Sequence, residues 1–170
     1  MSEFTILVKQ EGDTAIARII GKGSFKNAKL LKNYADQARA GGARRVVLDL
    51  QECLHMDSTF MGVIAGIAVG QRRDHGPAPK VINANPRALE LLNSLGLSQL
   101  LDIDTARGPA QGQPYAELPS AGATDKAEVA QTMLDAHETL ARVDDANAAK
   151  FQDVITFLKE QLDANPPKNS

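Results

Sequence analysis

Apolar residues fall into two rhythms along this chain, with a period near two at the start and near 3.6 afterwards. Phe4, Ile6 and Val8 alternate with Thr5, Leu7 and Lys9, which predicts a strand open on one face. Glu11-Gly12-Asp13 turns the chain. Ile16, Arg18 and Ile20 then alternate with Ala15, Ala17 and Ile19 up to Gly21, completing a hairpin over Thr5 to Gly21. Ser24 reads as a helix cap, and Phe25, Ala28, Leu31, Tyr34, Ala35 and Ala38 draw one apolar helix face that Gly41-Gly42 ends. Arg45 to Leu50 is apolar on both faces, as a covered central strand should be. After a short polar bend, Asp57-Ser58-Thr59 opens a helix that is apolar nearly all round (Phe60, Met61, Val63, Ile64, Ile67, Val69) and runs to His75. Gly76-Pro77-Ala78-Pro79 breaks it. A strand over Lys80–Ala84, a helix capped by Asn85 with Pro86 at its first position, and a last strand near Leu100 to Ile103 follow.

The rhythm is lost over residues 105–122, where prolines and glycines predict a linker. Asp125-Lys126-Ala127-Glu128 has the spacing of a capping box. Val129, Met133, His137, Leu140 and Val143 then mark one stripe. Asp144 to Asn147 break and re-cap the chain, and Phe151, Val154, Ile155, Leu158 and Leu162 mark a second stripe. The organisation expected is a domain over 1–104, a linker over 105–122, a two-helix appendage over 123–165 and a disordered tail over 166–170. A lone helix pair of this length is marginal in water. Its apolar excess must find another surface, and a homodimer through residues 123–165 is favoured over docking on its own domain.

Charge and composition narrow the partners. The net charge is −2, with 13 Lys/Arg against 11 Asp/Glu in residues 1–104, so there is no strongly basic face for nucleic acid. No apolar run reaches the ~20 residues of a membrane span, and Met1 to Phe4 do not begin a signal region, so the expected location is cytoplasmic. The single cysteine, Cys53, excludes an internal disulfide and reads as a small buried hydrophobe.

The chemistry concentrates at Asp57-Ser58-Thr59. Side-chain oxygens there accept the free N–H groups of a first turn, and the helix dipole favours negative charge, so a kinase could place a phosphate at this spot. Gly21-Lys22-Gly23-Ser24 lacks the spacer and ending of a phosphate-binding loop, so nucleotide binding is only a minor option. His55, His75 and His137 lack the spacing of a metal site. His137, on an apolar stripe, reads as a satisfied interface residue. Arg44-Arg45 and Arg72-Arg73 read as solvated charge. Three near-neighbours such as His55, Asp57 and Ser58 cannot form a triad, and no acid/base pair is evident. No catalysis, cofactor or metal is expected.

The strand, the Asp57-Ser58-Thr59 start and the apolar helix, with the hairpin before them, Lys80–Ala84, Asn85-Pro86 and Leu95-Gly96-Leu97 after them, resemble the STAS domain of bacterial anti-sigma-factor antagonists over roughly residues 3–104. That resemblance implies an α/β fold, a mixed sheet of four to five strands with helices on one face, to which the C-terminal helical hairpin is added. It also implies a phosphoprotein of transcription regulation that works by partner switching. Ser58 would be the phosphorylated residue, Thr59 the alternative, and Asp57 the capping neighbour. Lys22, Ser24, Asp57, Ser58, Thr59 and Phe60 would form the partner-binding face toward a serine kinase or anti-sigma factor and a phosphatase. Two departures stand out. Gly21-Lys22-Gly23-Ser24 replaces the usual Gly-Glu-Leu-Asp, and Phe60 replaces a glycine. Both imply a divergent partner. The rival reading is a non-catalytic scaffold that oligomerises through its C-terminal helices, and a subunit of a lipid-transport assembly is a third.

Overall fold

The computed structural model describes residues 4–104, 114–119 and 125–166. β1 (Phe4–Glu11) and β2 (Thr14–Gly23) pair antiparallel around Gly12, whose φ of +61° suits glycine. β3 (Arg45–Asp49) lies parallel to β2, β5 (Lys80–Ile82) parallel to β3, and β6 (Asp102–Ile103) parallel to β5. The sheet order is β6-β5-β3-β2-β1, with β7 (Ala116–Glu117) added outside β1, so β3 is central. This is the mixed sheet the apolar pattern predicts. Val46, Leu48 and Leu50 are fully buried.

Two strands go beyond the expected set. The segment read as a polar bend contains β4 (Cys53–Met56), which pairs with the end of β2 past a register shift at Gly21/Lys22. Four residues, buried only at the two ends, are too short and too close to the cap to read as a strand from sequence. Within the expected linker, β7 (Ala116–Glu117) adds antiparallel to β1, and the Leu118 N–H donates to the Ile6 carbonyl. Tyr115 lies under the cations of Lys9 and Arg18, at 4.5 and 4.3 Å from the ring centroid. Part of the linker is therefore a component of the sheet. Residues 105–113 and 120–122 of it, and the tail from 167, lie outside the described residues.

α1 (Ala28–Ala40) begins a turn later than expected. Ser24 does act as a cap, its hydroxyl accepting from the Lys26 N–H, but over a preceding turn. α2 (Ser58–Arg73) and α3 (Pro86–Ser94) start at the predicted caps, Asp57 and Asn85. Asn85 also donates to the carbonyls of Leu50, Gln51 and Cys53, which fixes the β3–β4 turn that delivers the chain to Asp57.

α4 (Lys126–Val143) and α5 (Asp145–Ala164) form the predicted hairpin. It packs on its own domain. α2 lies between α1 and α4, in contact with both, and α5 packs on α4. Leu140 joins the main core, with Val143 and Phe151 packed against it, while Leu134, Leu158 and Leu162 form a second cluster between α4 and α5. The homodimer is expected from sequence because the stripes need a surface beyond each other, and α2 supplies that surface within the chain. The stripe itself also differs: the inward residues of α4 include Thr132 and Ala136, too small to register as an apolar stripe.

Candidate functional site

The start of α2 is built by Asp57. One carboxylate oxygen accepts from the Phe60 N–H at 2.9 Å, the N-cap bond, and the other accepts from the Phe25 N–H at 2.9 Å. The Asp57 N–H donates to the Gly23 carbonyl. The last two of these bonds lock the first turn of α2 to the end of β2 and the loop that follows it. They bring Lys22, Ser24, Asp57 and Ser58, four of the six residues expected at a partner face, into one region. Lys22 is exposed, and Ser24 and Ser58 are half-buried. Phe25 and Leu54, both exposed, flank it; Phe25 is expected from sequence on the apolar face of the helix but precedes α1, and Leu54 is not singled out there.

The other two residues are not on a surface. Phe60 is fully buried, meets Phe4 edge-on at 5.8 Å, and fills the space a side chain on Gly23 would need. A β-carbon there would stand 2.6 Å from the ring. The phenylalanine in place of the usual glycine and the glycine at 23 are thus one packing arrangement. Both lie in the core, and Gly23 serves that packing. Thr59, the alternative acceptor, is 2% exposed.

Ser58 has a partner that the sequence did not reveal. Its Oγ lies 2.8 Å from Nε2 of His137 on α4, 79 positions away in the chain. The other ring nitrogen, Nδ1, lies 2.6 Å from the Met133 carbonyl oxygen. A carbonyl only accepts, so Nδ1 carries a proton. In the neutral ring Nε2 is then an acceptor, and the Ser58 hydroxyl donates to it. The imidazole is 3% exposed and meets Phe151 edge-on at 4.9 Å. The reading of His137 as a satisfied interface residue was right in kind. The available signal was a polar residue within a covered stripe, which must be paired, though nothing in the sequence named Ser58 as the mate.

The remaining candidates are structural. Cys53 is buried, and burial pushes its thiol pKa up to about 11. His55 sits beside Lys22 in the β2–β4 register, with Nδ1 3.3 Å from Arg87. His75 follows the end of α2 at positive φ and is exposed. Arg44, Arg45, Arg72 and Arg73 are all exposed. Among the described residues no group of three or more His, Cys, Asp or Glu could hold a metal, and no helix is long and apolar enough to cross a membrane.

Comparison with known proteins agrees with this architecture. The family model for the STAS domain matches residues 5–110. A crystal structure of a putative anti-sigma factor antagonist from Thermotoga maritima is similar, with 23% identity and a TM-score of 0.53, covering 58% of this chain and 85% of that one. An anti-sigma factor antagonist from Mycobacterium paratuberculosis has 16% identity and a TM-score of 0.51, covering 59% and 84%. The anti-sigma factor antagonist SpoIIAA in its unphosphorylated form has 17% identity and a TM-score of 0.50, covering 59% and 88%. No curated protein matches the sequence.

Proposed function

This chain belongs to the STAS domain family, and from that premise we propose that it is a non-catalytic regulator of the anti-sigma-factor-antagonist type. It binds a serine kinase or anti-sigma factor, and the state of Ser58 decides whether it binds. One observation carries the reading: Ser58 occupies the first position of α2, and Asp57 ties that turn to the end of β2 at Gly23 and to the exposed Phe25. A phosphate at this helix start would be stabilised by the dipole. It would add about −1.5 to −2 charge and three acceptor oxygens. The cost would fall on whatever surface packs against the neutral turn. Phosphoryl transfer from ATP is the partner's chemistry, and a phosphatase reverses it.

The test is incubation of the full chain with ATP and an extract of its host cells, followed by mass mapping. A single phosphate on Ser58, absent in Ser58→Ala, is the expected result. Stoichiometric phosphorylation that persists in Ser58→Ala overturns the assignment.

A further inference from the structure

The hydroxyl on which this function turns is covered by the chain's own C-terminus. Four separate features seat the hairpin there. His137 accepts from Ser58 and is itself held by the Met133 carbonyl and by Phe151. Gly62, one turn further along α2, lies directly against Ala136: a β-carbon on Gly62 would come within 2.5 Å of the Ala136 carbonyl oxygen. At the far end, the buried Asn147 side-chain amide donates to the carbonyls of Leu95 and Leu140, both at 2.9 Å, joining the hairpin turn to the end of α3. Lys29 of α1 pairs with Glu128 at 3.3 Å along the rim. The hairpin is therefore seated at both of its ends and along its middle.

Resting on the reading of Ser58 as acceptor, we propose that residues 125–164 are an internal occupant of the partner surface, and that a docked hairpin and a phosphate on Ser58 exclude each other. When a serine kinase acts, a P–O bond forms to Ser58 Oγ, the bond to ADP breaks, and the hydroxyl proton passes to the kinase's base. The product replaces a proton in a 2.8 Å gap with a phosphoryl group. The imidazole cannot retreat to make room. Its Nδ1 is committed to its own helix, its edge abuts Phe151, and the helix backbone at Ala136 already touches Gly62. The hairpin must leave. Until it does, Oγ is held on His137 and half-covered, and the kinase reaches it only slowly. Docking thus keeps the acceptor masked, and phosphorylation, once achieved, keeps the hairpin off and its covered face of α2 open.

The test uses full chains with serine or genetically encoded phosphoserine at position 58, compared by hydrogen exchange. In the phosphoserine chain, exchange in α4 and the first turns of α2 should rise by about tenfold or more, while β3 is unchanged. Equal exchange in the two chains overturns the proposal. A second arm measures phosphate incorporation from ATP and host extract. It should be faster in His137→Ala and, should that variant misfold, in His137→Gln. An unchanged rate refutes the masking. A chain that the extract never phosphorylates at position 58 removes the proposed function, whereas the phosphoserine comparison still decides whether the phosphate and the docked hairpin exclude each other.

Discussion

Gly62 and Ala136 are in contact at a distance only glycine permits: a β-carbon on Gly62 would fall 2.6 Å from Ala136 Cβ as well as 2.5 Å from its carbonyl oxygen. One helical turn on, Gly66 has nothing within 4 Å of the corresponding position. The two glycines share a helix and a face, yet should respond to alanine in opposite directions. Gly66→Ala gains helix propensity, up to about 1 kcal/mol. Gly62→Ala gains the same but must push α4 away, at roughly 1–3 kcal/mol of overpacking. Urea denaturation should show Gly66→Ala neutral or more stable and Gly62→Ala less stable. Hydrogen exchange should place the loss of Gly62→Ala in α4.

Phe60 should prove a core residue. Phe60→Ala removes a fully buried ring that packs on Phe4 and Gly23, and should cost about 3–5 kcal/mol in denaturation experiments. A variant that folds with wild-type stability would return Phe60 to the surface and to the partner.

Asn147 is buried, and its amide serves two carbonyls on different elements. Asn147→Ala leaves both acceptors without this donor, at about 1–3 kcal/mol. The loss should appear as faster exchange at the α4–α5 turn and the end of α3, with the sheet unaffected. Uniform loss across the whole domain would show that the hairpin and sheet unfold as one unit.

Cys53 predicts a pH limit. Desolvation raises its pKa from 9.0 to about 11, against a weaker lowering by the His55 backbone contact. A raised folded-state pKa means that the native protein holds the proton more tightly than the unfolded chain. The associated stability is complete below pH 9 and is lost as pH rises toward about 11. The native thiol should resist alkylation at pH 8 and react once urea unfolds the chain. In Cys53→Ser, the alkaline loss of stability between those values should be smaller. Rapid alkylation of the folded protein would contradict the burial.

The elements that bury large side chains at a clean period were legible from sequence. Val46 to Leu50, the Asp57 and Asn85 caps and both C-terminal helices fall where expected, because each depends on a local rule. What escaped depends on distant partners. β4 is a strand only because the end of β2 lies beside it, and Ala116-Glu117 only because the β1 edge does. Docking of the hairpin was hidden because the surface of α4 that meets α2 is made of small residues such as Thr132 and Ala136, and an apolar-stripe argument weighs size. At the candidate site, the Asp57 cap and the helix start at Ser58 were legible because capping is local. Phe60 was misplaced for the converse reason: its neighbours, Phe4 and Gly23, come from another part of the chain. The hydrogen bond between Ser58 and His137 spans two separate segments, and neither segment's pattern encodes the other.

β7 changes the polymer physics of the hairpin. Because Ala116 and Glu117 are paired to β1 and Leu118 is bonded to Ile6, the tether to the helices is measured from Pro119 and not from residue 104. The six residues from there to Asp125 reach at most about 20 Å when fully extended. A leash this short holds the hairpin near its own α2 at an effective concentration in the millimolar range. A free partner must compete against that local concentration, so the sheet edge sets how hard the covering helices are to displace.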